Sequence, residues 1–404
     1  MKRLFISLAG LLIFTNFSIS QAVDEWNGQQ ATVNTITTAV PFLNIGPDAT
    51  SGGMGELGAA TEPDPNSQHW NPAKYPFIKK KMGFAVSYSP WLRNLVNDIN
   101  LAYLSGFYKI DDISAISASL KFFSLGDITF TDINGAETGT YRPNEFSIDA
   151  GYSRKFSQKL SGAVTARFIY SNLTQGQTVS GQSTKPGTSI AADIAMYYSN
   201  DVNVNWLEAS TFSFGGVISN IGAKISYSND DTQKDFIPTN FRIGPSWLME
   251  IDEYNSFRFS IDINKLLVPT PPIYERDSTG QPVVDETGEQ IILKGKDPDV
   301  SVVQGMIQSW YDAPGGFSEE MKEFIWIVGA EYWYDKQFGI RAGYFHESKM
   351  KGGRQFFTVG AGLRYNVFGL DFSYLIPTEQ QNPLQNTLRF TLTFNFDNMN
   401  NKNE

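Results

Sequence analysis

Leu388-Arg389-Phe390-Thr391-Leu392-Thr393-Phe394-Asn395-Phe396 alternates apolar and polar residues without a break. A strand turns successive side chains to opposite faces, so this run has one apolar and one polar face. Phe257, Phe259, Ile261 and Ile263 alternate with Arg258, Ser260, Asp262 and Asn264 in the same way. Similar dyads run through 82–90, 99–109, 113–123, 145–155, 160–171, 188–199, 211–221, 239–250, 323–334, 338–347, 354–366 and 368–376. The pattern predicts about fourteen strands of roughly ten residues, the length that crosses a bilayer when tilted. A soluble sandwich would have shorter strands with turns at closer spacing.

The connections separate the two architectures. Those at 110–112, 156–159, 251–254, 335–337 and 366–367 are tight and polar, and those at 124–144, 172–187, 222–238, 265–322 and 377–385 are long. Short and long largely alternate, as periplasmic turns and external loops do in outer-membrane barrels. Three connections break the rule: 91–98 and 348–353 are short for their side, and 200–210 is long. The expected fold is all-β, a transmembrane antiparallel barrel of about fourteen strands over 82–396. An even strand count places both termini in the periplasm, with a polar tail at 397–404.

Composition narrows the function classes. The 404 residues carry a net charge of −10 and no Cys, which excludes disulfides, thiolate metal sites and thiol catalysis. The acidic balance argues against nucleic acid as a partner. Lys2 and Arg3, the apolar run Leu4 to Phe17 and Ser18-Ile19-Ser20 predict a secretory signal at 1–20, with cleavage before Gln21.

One stretch refuses the alternation. Phe42 to Phe77, FLNIGPDATSGGMGELGAATEPDPNSQHWNPAKYPF, is dense in Gly, Pro and small residues. It cannot build its own core, so it is expected to pack into the barrel mouth as a plug, within a periplasmic segment at 21–81. Phe42, Gly53, Gly55, Asn71 and Pro72 are its marker residues. Gly53-Met54-Gly55-Glu56-Leu57-Gly58 matches G-x-G-x-x-G, but no hydrophobic strand precedes it and Ile78 stands where an acidic residue belongs. The glycines are therefore read as turn formers.

The run Phe42-Leu43, Ile45, Pro47-Asp48-Ala49, Gly52-Gly53-Met54-Gly55, then Asn71-Pro72-Ala73, resembles the start of the PorV/PorQ family. These are outer-membrane barrels related to the FadL fatty-acid channels. Length, the C-terminal half and the missing lipoprotein Cys favour the PorV branch, while Thr50-Ser51 departs from the expected pattern. The resemblance implies a component of type IX protein secretion that binds C-terminal signal domains of cargo proteins. It would collect them at the translocon barrel and deliver them to the sortase attachment complex, without cofactor or covalent chemistry. Outer-membrane lipid and lipopolysaccharide would surround it.

Polar residues at the strand phase opposite the aromatics belong in the lumen, because Arg facing lipid at the midplane costs about 2–4 kcal/mol. They are Asp149, Arg167, Asp193, Arg258, Asp262, Glu331, Arg341, Arg364, Asp371 and Arg389. A salt-bridge ladder filling the bore is the plainer reading, and a transport lining the sharper one. Trp91, Trp247, Trp333 and Tyr334, near strand ends, read as interfacial girdle residues.

The insert 265–322 is the longest irregular stretch, and such loops are usually functional or disordered. It opens with Val268-Pro269-Thr270-Pro271-Pro272. A short amphipathic helix is expected within Val300 to Tyr311, with Val303, Ile307 and Trp310 on one side. Val268, Pro269, Pro271, Pro272, Val303, Ile307 and Trp310 are the candidate partner-binding residues. Two rival functions stay open: a FadL-like channel for hydrophobic small molecules, and a lipid A deacylase built on His69 or His346. Two histidines suggest no metal cluster, and no G-x-S-x-G elbow is present.

Overall fold

The computed structural model describes residues 33–92, 98–131, 135–173, 178–179, 182–228, 234–379 and 383–397. The signal at 1–20 and tail residues 398–404 lie outside the described residues. Fourteen antiparallel strands close into one barrel. In chain order these are β1 (Met82–Pro90), β2 (Ile99–Lys109), β3 (Ser114–Leu125), β4 (Asn144–Lys155), β5 (Leu160–Asn172), β6 (Gly187–Asp201) and β7 (Ala209–Gly222). The second half comprises β8 (Asn240–Glu250), β9 (Asn255–Leu266), β10 (Ile325–Tyr334), β11 (Phe338–His346), β12 (Gln355–Tyr365), β13 (Phe368–Pro377) and β14 (Leu388–Phe396). Each strand read from the alternation is present, with small changes at the ends. The barrel closes where Met82 faces Phe396 and Tyr88 faces Phe390.

Alternation sets the two faces. Phe84, Val86 and Tyr88 on β1 and Phe390 and Leu392 on β14 are exposed outward, while Ser87, Arg389, Thr391 and Thr393 are buried inside. No helix among the described residues is long and apolar enough to cross a membrane. Strands do the crossing, because a closed barrel satisfies every ladder hydrogen bond internally.

The chain before β1 runs through the bore from end to end. Asn34 donates to Met350 O at 2.8 Å and Ala39 to Phe236 O at 2.9 Å, both in connections at the long-loop end. Phe42 stacks on Phe123 there, with ring centroids 6.4 Å apart. Farther along, Tyr75 stacks on Phe107, and Lys109 Nζ donates to Ile78 O at 3.0 Å beside the short turns. Val33 therefore lies at the long-loop end and Phe396 at the other. The expected periplasmic placement of both termini falls on residues 1–32 and 398–404, which lie outside the described residues. Strand parity places only the start of β1 and the end of β14 together, and says nothing about chain threaded through the bore.

Two girdle readings are corrected. Trp91 is buried inside, with the Arg389 guanidinium 5.7 Å from its ring centroid. Trp333 shares the inward phase of Glu331 and lies under both Arg341 and Arg364. Trp247 and Tyr334 are exposed outward.

Candidate functional site

The bore segment is held by backbone groups meeting inward side chains. Asp262 Oδ2 accepts from Gly58 N at 2.8 Å and Ala59 N at 2.9 Å, and from Arg242 at 3.0 Å. Thr358 Oγ1 accepts from Gly55 N and donates to Gly53 O. Thr391 accepts from Ala49 N, and Lys121 Nζ donates to Leu43 O and Ile45 O. Asn71 Nδ2 donates to Ala59 O and Met196 O while its Oδ1 accepts from Ala73 N, which fixes buried Pro72 and the turn beyond it. An irregular backbone packed inside a bore needs these partners, because each unpaired group is costly.

Close approach requires glycine on both sides. Gly55 sits at φ +77, and a Cβ on Gly343 of β11 would overlap the Met54 and Gly55 backbone. A Cβ on Gly215 of β7 would likewise strike the Ala59 carbonyl. Gly53 lies against Gly360 in the same manner.

The inward ions form networks of two kinds. Arg167 bridges Asp149 at 2.7 Å and Asp193 at 3.0 Å, and also meets the Asn220 side chain. Arg341 bridges Glu331 at 2.6 Å and Asp371 at 2.8 Å, with Arg364 on the other Asp371 oxygen at 2.8 Å. These tie strand to strand. Arg389 to Glu56 at 2.5 Å and Arg258 to Glu62 at 3.4 Å tie wall to segment. Removing one member strands buried charge, at a cost of about 3–5 kcal/mol. Arg167→Met is thus expected to lower the temperature at which the heat-modifiable band shift occurs on gels. Adding Asp193→Asn should recover part of that loss, and a double variant no better than the single one would contradict the coupling.

A cavity of about 60 Å³ lies between the segment and the barrel wall, lined among others by Asn44, Glu56, His69, Arg167, Asn220 and Arg242. His69 rests edge-on against Trp70, whereas His346 follows the outward phase of Trp326 across the β10–β11 pair. The two histidines belong to opposite faces of the wall.

The insert forms a folded unit on the barrel flank. Lys265, at the outward phase of β9, is buried beneath it and bonds Glu320 at 3.2 Å and also Glu323. Lys351, from the connection after β11, pairs with Glu319 at 2.5 Å and Glu323 at 2.9 Å. A helix spans Val302–Gln308, capped by Ser301 Oγ accepting from Gln304 N. Gly305 of this helix packs on Phe236 and Pro269. Val303 is 65% exposed and Ile307 59%, so the helix turns an apolar face away from the protein.

The other insert candidates are less exposed than Val303 and Ile307. Val268 and Pro269, expected at a partner surface, are buried, Pro269 against Gly305 of the helix. Pro271 is half-buried and accepts from Asn34 Nδ2 at 3.2 Å, and half-buried Pro272 lies against Gly295. Trp310 follows the helix, its ring packed on Phe241 and Phe324 with one side open. Asp312, which sequence reading passed over, accepts from Thr270 N at 3.1 Å. Burial pushes its carboxyl up to about 6, and Glu320 and Glu323 add to the shift. The folded insert thus favours the protonated acid, so its hold should strengthen as pH falls through about 6. Limited proteolysis of the insert is expected to be slower at about pH 5 than at about pH 7.5, and Asp312→Asn should flatten that difference.

A closed fourteen-stranded barrel, apolar outside and polar within, defines an outer-membrane protein. Among solved structures, the Pseudomonas putida toluene transporter TodX is similar at 11% identity, covering 86% of this chain and 96% of that one, TM-score 0.48. The Ralstonia pickettii toluene transporter TbuX is similar at 12% identity over 87% and 98%, TM-score 0.45. A Pseudomonas aeruginosa FadL homologue is similar at 12% identity over 90% and 100%, TM-score 0.41. No curated protein sequence matches the chain. The family model described as type IX secretion system protein PorV matches residues 27–273, and the chain belongs to that family.

Proposed function

We propose that this protein is the cargo carrier of type IX secretion at the outer membrane. It takes the C-terminal signal domain of a cargo protein at the translocon barrel and passes it to the surface attachment complex that holds the sortase. The observation that carries the reading is a bore occupied along its length beside an ordered insert with an apolar face left open. Such a molecule is built to bind at its rim rather than to conduct. The work is recognition and handover, and no covalent step is assigned to the chain.

The channel for hydrophobic small molecules fits less well. A cavity of about 60 Å³ is smaller than the ~150 Å³ that admits a benzene ring, and its lining is largely polar. Val303→Asp with Ile307→Asp should leave barrel assembly intact while reducing cargo recovered with the tagged protein from outer membranes by about tenfold. That corresponds to about 1.4 kcal/mol of lost binding. Undiminished cargo recovery from this variant would remove the helix face from the binding surface.

A further inference from the structure

We infer that the periplasmic rim beside β1 and β2 holds a site for the phosphate headgroup of an anionic phospholipid in the inner leaflet. The chain carries a net charge of −10, yet Lys79-Lys80-Lys81 and Lys109 gather where the bore segment leaves the barrel and enters β1. With Asp111 and Asp112 they line an open hollow of about 240 Å³.

Two of these four ammonium groups are held by backbone carbonyls, which leave their charge uncancelled. Lys81 Nζ donates to Ile110 O at 3.2 Å and Lys109 Nζ to Ile78 O at 3.0 Å. Lys80 pairs with a carboxylate, Asp397 at 2.7 Å. Asp111 is occupied in its own turn, accepting from Ile113 N at 2.9 Å and Ser114 N at 2.6 Å. Four lysines thus face three carboxylates, Asp111, Asp112 and the Asp397 partner of Lys80, which leaves a net charge of +1 around a space that an anion can enter.

Lipid is the favoured source of that anion because of what borders the hollow. Lys81 Nζ stands 5.0 Å from the ring centroid of Tyr108, an outward-facing residue 45% exposed. Ile110 and Ile113 in the adjoining turn are also exposed. Cationic tips above aromatic and aliphatic groups at a strand end match the headgroup boundary of a bilayer. Short turns face the periplasm in barrels of this build, so the leaflet is the inner one.

The feature is local rather than a general property of the rim. The arc formed by the β8–β9 and β10–β11 turns carries Glu250, Asp252, Glu253 and Asp335, with Lys336 paired to Glu250 at 3.1 Å. A uniform anchoring girdle would show no such division between basic and acidic sides. Basic clusters at a membrane surface attract anionic lipid, and phosphate oxygens accept charge-assisted hydrogen bonds from ammonium groups.

The test uses the full-length protein in neutral detergent, with lipid retention read by native mass spectrometry. Phosphatidylglycerol should be retained at about tenfold lower concentration than phosphatidylcholine. Lys79→Gln, Lys81→Gln and Lys109→Gln together should erase that preference, while Lys336→Gln on the acidic arc should keep it. Equal retention of the two lipids, or an unchanged preference in the triple variant, would overturn the inference. Inorganic phosphate binding as tightly as phosphatidylglycerol would also overturn it, by assigning the hollow to a soluble anion. Displacement of the lipid by a hexaglutamate peptide at lower concentration would assign it to an acidic protein segment instead.

Discussion

In planar bilayers the intact protein is expected to be nearly silent, and a variant lacking residues 42–77 to conduct in large, stable steps. A barrel of about fourteen strands leaves a water-filled passage unless something occupies it. Here the occupant spans the bore, from Phe42 among Phe123, Ile99 and Ile169 at one end to Tyr75 against Phe107 and Ala115 at the other. Its backbone is bonded to Asp262, Thr358, Thr391 and Lys121 of the wall. The deletion strips Arg389 and Arg258 of their Glu56 and Glu62 partners, so the variant barrel should also melt at lower temperature.

Gly343→Val supplies a second handle that leaves the chain complete. The added side chain would occupy space held by the Met54–Gly55 backbone, so the segment must shift and the bore should flicker open. Equal conductance of intact and deleted protein would show that residues 42–77 are not what closes the passage. The small-molecule channel would then return as the leading function.

Deleting residues 270–315 is expected to abolish cargo secretion while leaving a heat-modifiable, inserted barrel. The deletion removes the helix Val302–Gln308 and its exposed Val303 and Ile307, together with Trp310. It spares Lys265 with Glu320 and Glu323, and Lys351 with Glu319, so the remaining stub stays anchored to the flank. Barrel strands on either side, β9 and β10, pair from Asn255–Tyr334 to Asn264–Ile325 without any help from the insert. Secretion that continues at the normal rate after this deletion would sink the insert as the cargo surface. A barrel that fails to insert would be distinguished by the absence of the heat-dependent band shift.

The wall of this protein was legible because strand geometry is local. A period of two needs only neighbouring residues, and the cost of Arg or Asp in lipid determines which phase faces inward. Arg167, Arg341 and Asp371 could be assigned to the bore from parity alone. The same parity marks Trp333 as inward, since it lies two residues from Glu331, and the girdle reading passed over that signal. Chain order also made the even closure of β1 on β14 readable.

Contacts between distant segments have no such local signature. The sequence shows Gly343 and Gly55, but only the folded chain brings their backbones together. Partner choice in the ion networks was equally hidden, because Asp262 joins Arg242 of the wall while receiving Gly58 and Ala59 of the segment. Sequence reading began the insert at residue 265, and only the fold puts Lys265 on the outward phase of β9, covered by the insert's Glu320 and Glu323. The path of residues 33–78 from the long loops to the short turns also depended on the tertiary structure. Hydrophobic alternation by itself determined the barrel, since each strand must present one face to lipid wherever it stands in the ring. What fills that ring was decided in three dimensions, since a segment without periodicity takes its conformation from the surfaces that surround it.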